Sequence, residues 1–118
     1  MLAERGYLSQ TSATRTPRGI EYEAFARVTR RLAAAAKTGT AGFAELSAAI
    51  YDNRRLWTIL AADVADKDNA LPEDLRARIF YLAEFTDHHS SQVLAKKATV
   101  KALIDINAAI MRGLSRAG

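Results

Sequence analysis

The stretch FAELSAAIYDNRRLWTILAADVAD, residues 43–66, decides the fold. Within it Leu46, Ile50, Asn53, Trp57, Leu60 and Val64 recur at intervals of 4, 3, 4, 3 and 4, and Ala49 and Leu56 widen the stripe. Residues three and four apart share one face of an α-helix, so the spacing predicts a long amphipathic helix with a single core-facing side. Upstream, Thr16-Pro17 offers an N-cap type followed by proline at a first helical position, where its missing N–H costs nothing. A helix is expected from there to about Lys37, with Phe25, Val28, Leu32 and Ala35 inward and Thr38-Gly39-Thr40-Ala41-Gly42 as its break. Downstream, Lys67 to Leu71 reads as a turn. Pro72 then opens a third helix, with Glu73 and Asp74 complementing its dipole. Its stripe is Leu75, Ile79, Leu82, Thr86, His89 and Val93, backed by Phe85. A fourth helix, capped near Thr99, presents Leu103, Ile106, Ile110 and Leu114, broadened by Ile104, Asn107 and Met111, and ends near Gly113.

No alternation of period two persists, and alanine, about a fifth of the chain, favours helix over strand. The fold class expected is therefore all-α: one small bundle of about four helices over residues 16–118, preceded by a polar arm over 1–15. A chain of 118 residues can bury a core of useful size without covalent staples. It contains no cysteine, which removes thiol nucleophiles, disulfides and thiolate metal sites. Hydrophobic residues at 49% and charged residues at 25% fit an ordinary globular domain. Neither a membrane span nor a signal-peptide apolar core is visible, so a cytoplasmic location is expected. The net charge of +4 sits entirely in residues 1–40, which hold seven basic and three acidic side chains. The remainder holds ten of each.

The search for chemistry returns little. His88 and His89 are adjacent and diverge by about 100° on a helix, so they cannot share a metal. Even with Glu84 and Asp87 nearby, the expectation is one histidine at the core edge and one in water. Asp63, Asp66 and Asp68 cluster at a helix C-terminus, where acid is unfavourable, and they lack the alternating ligands and glycine of a calcium loop. No phosphate-cradling glycine loop or nucleophile elbow occurs. No enzyme, metal or cofactor is expected. Arg27, Arg30 and Arg31 share a helix face that could bind phosphate. Glu23, four residues before Arg27, and the lack of interleaved aromatics point instead to a solvated or protein-facing surface. Asn53 and Asn107 fall on apolar stripes. Each is either an inter-helix hydrogen bond that fixes register or a polar anchor in a groove for another chain. Trp57 is expected in the core rather than as an interaction hot spot.

Tyr22 through Arg31, Asn53-Arg54-Arg55-Leu56-Trp57, Leu71-Pro72 with Leu75-Arg76-Ala77, and Leu103-Ile104-Asp105-Ile106-Asn107 with Ile110-Met111 and Gly113-Leu114 follow in that order. Together they resemble the family of the flagellar biosynthesis regulator FlaF over about Thr16 to Leu114, with the arm adding little. The resemblance implies a non-enzymatic bacterial factor that binds unassembled flagellin as an export chaperone does, and that acts on flagellin synthesis after transcription. Flagellin is the implied partner, with the regulator FlbT as a second candidate.

Flagellin ends pack as helices only in the filament, so a groove between helices could receive an amphipathic stretch of free monomer. The groove is expected along the second and fourth helices. Its contacts would be Asn53, Leu56, Trp57, Leu103, Ile106, Asn107, Ile110 and Met111, with Arg54, Arg55 and Asp105 as its rim. The alternative is a nucleic-acid-binding regulator that holds flagellin messenger RNA through Arg27, Arg30 and Arg31.

Overall fold

A computed structural model describes the backbone of residues 17–117 and the side chains of residues 22–113. The arm expected over 1–15 and the cap expected at Thr16 lie outside the described residues, as does the Leu114 side chain. The described chain forms four α-helices and no strand: α1 (Pro17–Lys37), α2 (Phe43–Ala65), α3 (Glu73–Leu94) and α4 (Lys101–Ala117). The all-α expectation is met.

The connections explain the boundaries. A 3-10 turn at Gly39–Gly42 links α1 to α2, and Gly39, at φ +61°, takes the left-handed conformation that glycine tolerates best. Between α2 and α3, Asn69 donates through Nδ2 to the Asp63 carbonyl at 3.1 Å, and its Oδ1 accepts from the Leu71 N–H at 2.9 Å. Pro72 is the residue before α3 rather than its first: its carbonyl accepts from the Arg76 N–H at 3.0 Å. The acidic end of α2 is compensated from α3. Arg76 donates through Nη1 to the Val64 and Asp66 carbonyls at 3.3 and 3.2 Å, placing a cation at that helix C-terminus.

α4 starts at Lys101, and the Val100 carbonyl, one residue past the cap expected near Thr99, accepts from the Leu103 and Ile104 N–H groups at 3.0 and 3.2 Å. Lys96 adopts φ 63°. Its N–H bonds the Val93 carbonyl at 2.9 Å and the Lys97 N–H bonds the Gln92 carbonyl at 2.8 Å, the paired bonds of a Schellman ending without its usual glycine. Lys96 Nζ sits 4.9 Å from the centre of the Phe43 ring. At its far end α4 runs through Gly113 to Ala117 instead of stopping.

Around the bundle, α1 packs on α2, α2 on α3, and α4 chiefly on α1 with a lesser contact to α3. α2 and α4 are therefore diagonal. The core divides in two along the bundle. Phe25, Trp57, Leu60, Val64, Ile79 and Ile110 fill one half, with Phe25 edge-on to Trp57 at 5.4 Å between ring centres. Leu32, Ala49, Ile50, Val93, Val100 and Leu103 fill the other. Between them lie polar side chains.

Candidate functional site

The boundary between the two halves is built from the two asparagines. Asn107 accepts at Oδ1 from Trp57 Nε1 at 2.9 Å and donates through Nδ2 to Asn53 Oδ1 at 2.8 Å and Thr29 Oγ1 at 3.0 Å. Asn53 and Asn107 are fully enclosed and Trp57 is 2% exposed. Thr29 in turn donates to the Phe25 carbonyl at 2.6 Å. Of the two readings of the asparagines, the hydrogen bond between helices is the one the structure contains. It crosses the diagonal from α4 to α2, with Thr29 drawing in α1. On α3, Thr86 and Ser90 are buried too, and their hydroxyls, with Asn53 Nδ2, have no hydrogen-bond partner among the described residues.

This arrangement corrects the groove expected along the second and fourth helices. Diagonal helices share no outer groove, and Asn53, Trp57, Leu103, Asn107 and Ile110 are withdrawn into the core. Leu56, Ile106 and Met111 are half-buried against the first core half. Arg54 is no rim residue for such a groove, because it laces α2 to α3: its Nη2 donates to the Asp87 carbonyl at 2.7 Å, and its Nε lies 3.2 Å from Asp87 Oδ1. Asp105 is exposed and pairs with Lys101 at 2.6 Å, one turn away. Arg55 is exposed on the outer face of α2.

The other sequence candidates also have places. His88 is exposed. His89 is half-buried, its Nε2 2.9 Å from the Thr99 carbonyl and its ring stacked on Phe85, which ties the end of α3 to the start of α4. Phe85 is 36% exposed, so it backs the α3 stripe only from its edge. Of the three arginines on α1, Arg31 forms an ion pair with Asp52 of α2 at 2.6 Å, while Arg27 and Arg30 are exposed. Glu23 and Arg27 do not pair among the described residues. No three His, Cys, Asp or Glu side chains among the described residues are grouped to hold a metal ion.

Sequence reasoning missed Thr29 and Ser90 in the polar layer, and it missed the surface between α1 and α2. The signal for Thr29 was its place four residues after Phe25, on the same inward face. Clefts open on the outside. One of about 360 Å³ lies between α2 and α3, walled by Phe80 and edged by Arg54, Glu84 and Asp87. Two more, of about 490 and 220 Å³, lie between α1 and α2. Large apolar side chains also stand outside the core: Tyr51 is 62% exposed, Ile59 54%, Phe80 42% and Tyr81 64%. No described helix is long and apolar enough to cross a membrane.

Among known proteins, no curated sequence and no solved structure matches this chain. A family model does match. It is described as flagellar protein FlaF and aligns with residues 3–114, so the likeness takes in most of the arm as well as the bundle. With nearly its whole length matched, the chain belongs to the FlaF family of flagellar proteins.

Proposed function

We propose that this protein is a non-enzymatic cytoplasmic factor that holds unassembled flagellin and so supports its synthesis and export. One observation carries the reading. The bundle has filled its interior with its own side chains, yet Tyr51, Ile59, Phe80 and Tyr81 remain more than two-fifths exposed on helix faces. Apolar groups left outside a completed core suit a surface that meets another polypeptide. Free flagellin offers the complement, amphipathic stretches that lack their filament neighbours. Ordering such a stretch offsets part of the contact energy, which keeps the complex releasable for export.

The messenger-RNA reading is weakened by the ion pair to Asp52, which removes one of the three arginines from any phosphate patch. FlbT is retained as a second protein partner. The deciding experiment is co-purification of the tagged full-length protein from flagellated cells, with and without RNase. Flagellin is expected to survive RNase. Flagellin that disappears with RNase, or never co-purifies, overturns the reading.

A further inference from the structure

The two clefts between α1 and α2 share Arg31 and lie end to end along the groove of that helix pair, with the Arg31–Asp52 ion pair between them. On α1 the lining residues Ala24, Val28, Arg31, Ala35 and Thr38 advance by 4, 3, 4 and 3. On α2, running the opposite way, Glu45, Ala48, Asp52, Leu56 and Ile59 advance by 3, 4, 4 and 3. The Arg31–Asp52 ion pair marks the midpoint: Ala24 and Ile59 lie seven residues to one side, Thr38 and Glu45 seven to the other. Fourteen residues of helix rise about 21 Å, some four turns. A seven-residue spacing sustained on both walls is the pattern a third helix needs to seat its own side chains along a seam.

The two ends differ in chemistry. Beyond the ion pair toward Thr38 the walls are small, Ala34, Ala35, Ala41, Gly42 and Ala48, so a backbone can approach closely. Toward Ala24 the floor is Leu56 and the 54%-exposed Ile59, and both edges are basic, Arg27 on α1 and Arg55 on α2. Neither arginine has an ion-pair partner among the described residues. Counting Arg31 and Asp52, that half of the groove carries three positive charges and one negative.

We infer that this groove seats an amphipathic helix of about four turns whose apolar seam is flanked by acidic side chains at the Ile59 end. Resting on the flagellin reading, the inference makes that helix a segment of unassembled flagellin, and charge complementarity selects which segment. Ile59 and Leu56 supply the apolar anchor. Arg27 and Arg55 steer the acidic flank and set the direction in which the helix lies.

The test measures binding of purified monomeric flagellin to the full-length protein and to three variants, each checked for helicity and thermal midpoint. All substituted positions are exposed, so the fold is expected to hold. Ile59→Glu should weaken binding about tenfold or more, through faster dissociation. Arg27→Glu with Arg55→Glu should slow association about tenfold, with the deficit shrinking as salt rises from about 0.05 to about 0.5 M. Arg78→Glu, exposed on α3 and outside every surface named above, should leave affinity within about twofold.

If the groove variants bind flagellin like wild type, the groove is overturned and the flagellin reading survives. A wild-type protein that does not bind monomeric flagellin removes both. Light scattering that shows a dimer abolished by Ile59→Glu makes a second copy the occupant, and also overturns the inference.

Discussion

Replacing Asn107 by alanine tests whether the interior polar layer holds the bundle together through its hydrogen bonds or merely fills space. The substitution removes the acceptor of Trp57 Nε1 and the donor to Asn53 Oδ1. Both partners are at most 2% exposed, so water cannot replace the lost group without entering the core. A buried polar group left unpaired costs about 1–3 kcal/mol, so the two orphans cost about 2–6 kcal/mol between them. Thr29 adds little, because it keeps its bond to the Phe25 carbonyl. Set against a total stability of about 5–15 kcal/mol, that is a large fraction. At this chain length each kcal/mol moves the thermal midpoint by about 4 °C, so a fall of about 8–24 °C is expected. Heat and urea denaturation followed by far-ultraviolet circular dichroism read it, and the fluorescence of Trp57, the sole tryptophan, reports on the layer itself. Asn107→Asp separates bonding from volume. It keeps an acceptor for Trp57, loses the donor to Asn53 and brings a carboxylate into the interior, so it should be no more stable than the alanine variant. In the alanine background Trp57→Phe no longer sacrifices a bond and should cost about 1–3 kcal/mol less than it does alone. Additivity of the two within about 0.5 kcal/mol would refute the hydrogen-bond account. So would a loss below about 1 kcal/mol for Asn107→Ala.

Other positions give sharper yes-or-no outcomes. A Cβ on Gly42 would lie 1.8 Å from Thr38 Oγ1 and 2.6 Å from the Ala35 carbonyl, so Gly42→Ala must displace the last turn of α1 and should lose about 1–3 kcal/mol in urea denaturation. Gly113, inside α4 with nothing near its missing Cβ, should behave oppositely: Gly113→Ala gains up to about 1 kcal/mol in the same measurement. Thr86→Val exchanges a buried hydroxyl, without a partner among the described residues, for a methyl group, and a gain of about 1 kcal/mol is expected. A loss of that size instead would mean that the hydroxyl is bonded in solution. Arg76→Leu strips the α2 C-terminus of its donor and cation, with an expected loss of about 1 kcal/mol, diminishing with added salt.

The parts of this fold that were legible in the chain follow from one physical fact. Burial on a helix repeats every three or four residues, so Phe25, Val28 and Leu32, or Leu60 and Val64, mark their inward face without reference to anything else. Periodicity says which side of a helix is inside. It does not say which helix that side meets, and so the motif-bearing α2 and α4 were placed side by side when they stand across the diagonal. The end of α3 carries no sequence signal for a local reason: Lys96 takes the left-handed turn that a glycine would have announced. The outer groove was missed because alanine, a residue that reads as a helix former and carries little apolar contrast of its own, makes up half of the lining at its Thr38 end.

The inner layer and the outer groove depend on each other through α2. Asn53 points inward to Asn107, and its neighbour Asp52 points outward to Arg31, so the two bonds sit at one level of the same helix. A slip of α2 by one turn would strand Asn53 against the apolar residues of either core half, costing about 1–3 kcal/mol for each unpaired group. The same slip would move Asp52 away from Arg31 and put the rows Ala24–Thr38 and Glu45–Ile59 out of step. An exposed ion pair contributes at most about 1 kcal/mol and could not hold that alignment alone. The register of the groove is therefore set from inside the bundle by two asparagines that never reach its surface, and a substitution in the interior layer alone is expected to misalign the proposed docking face.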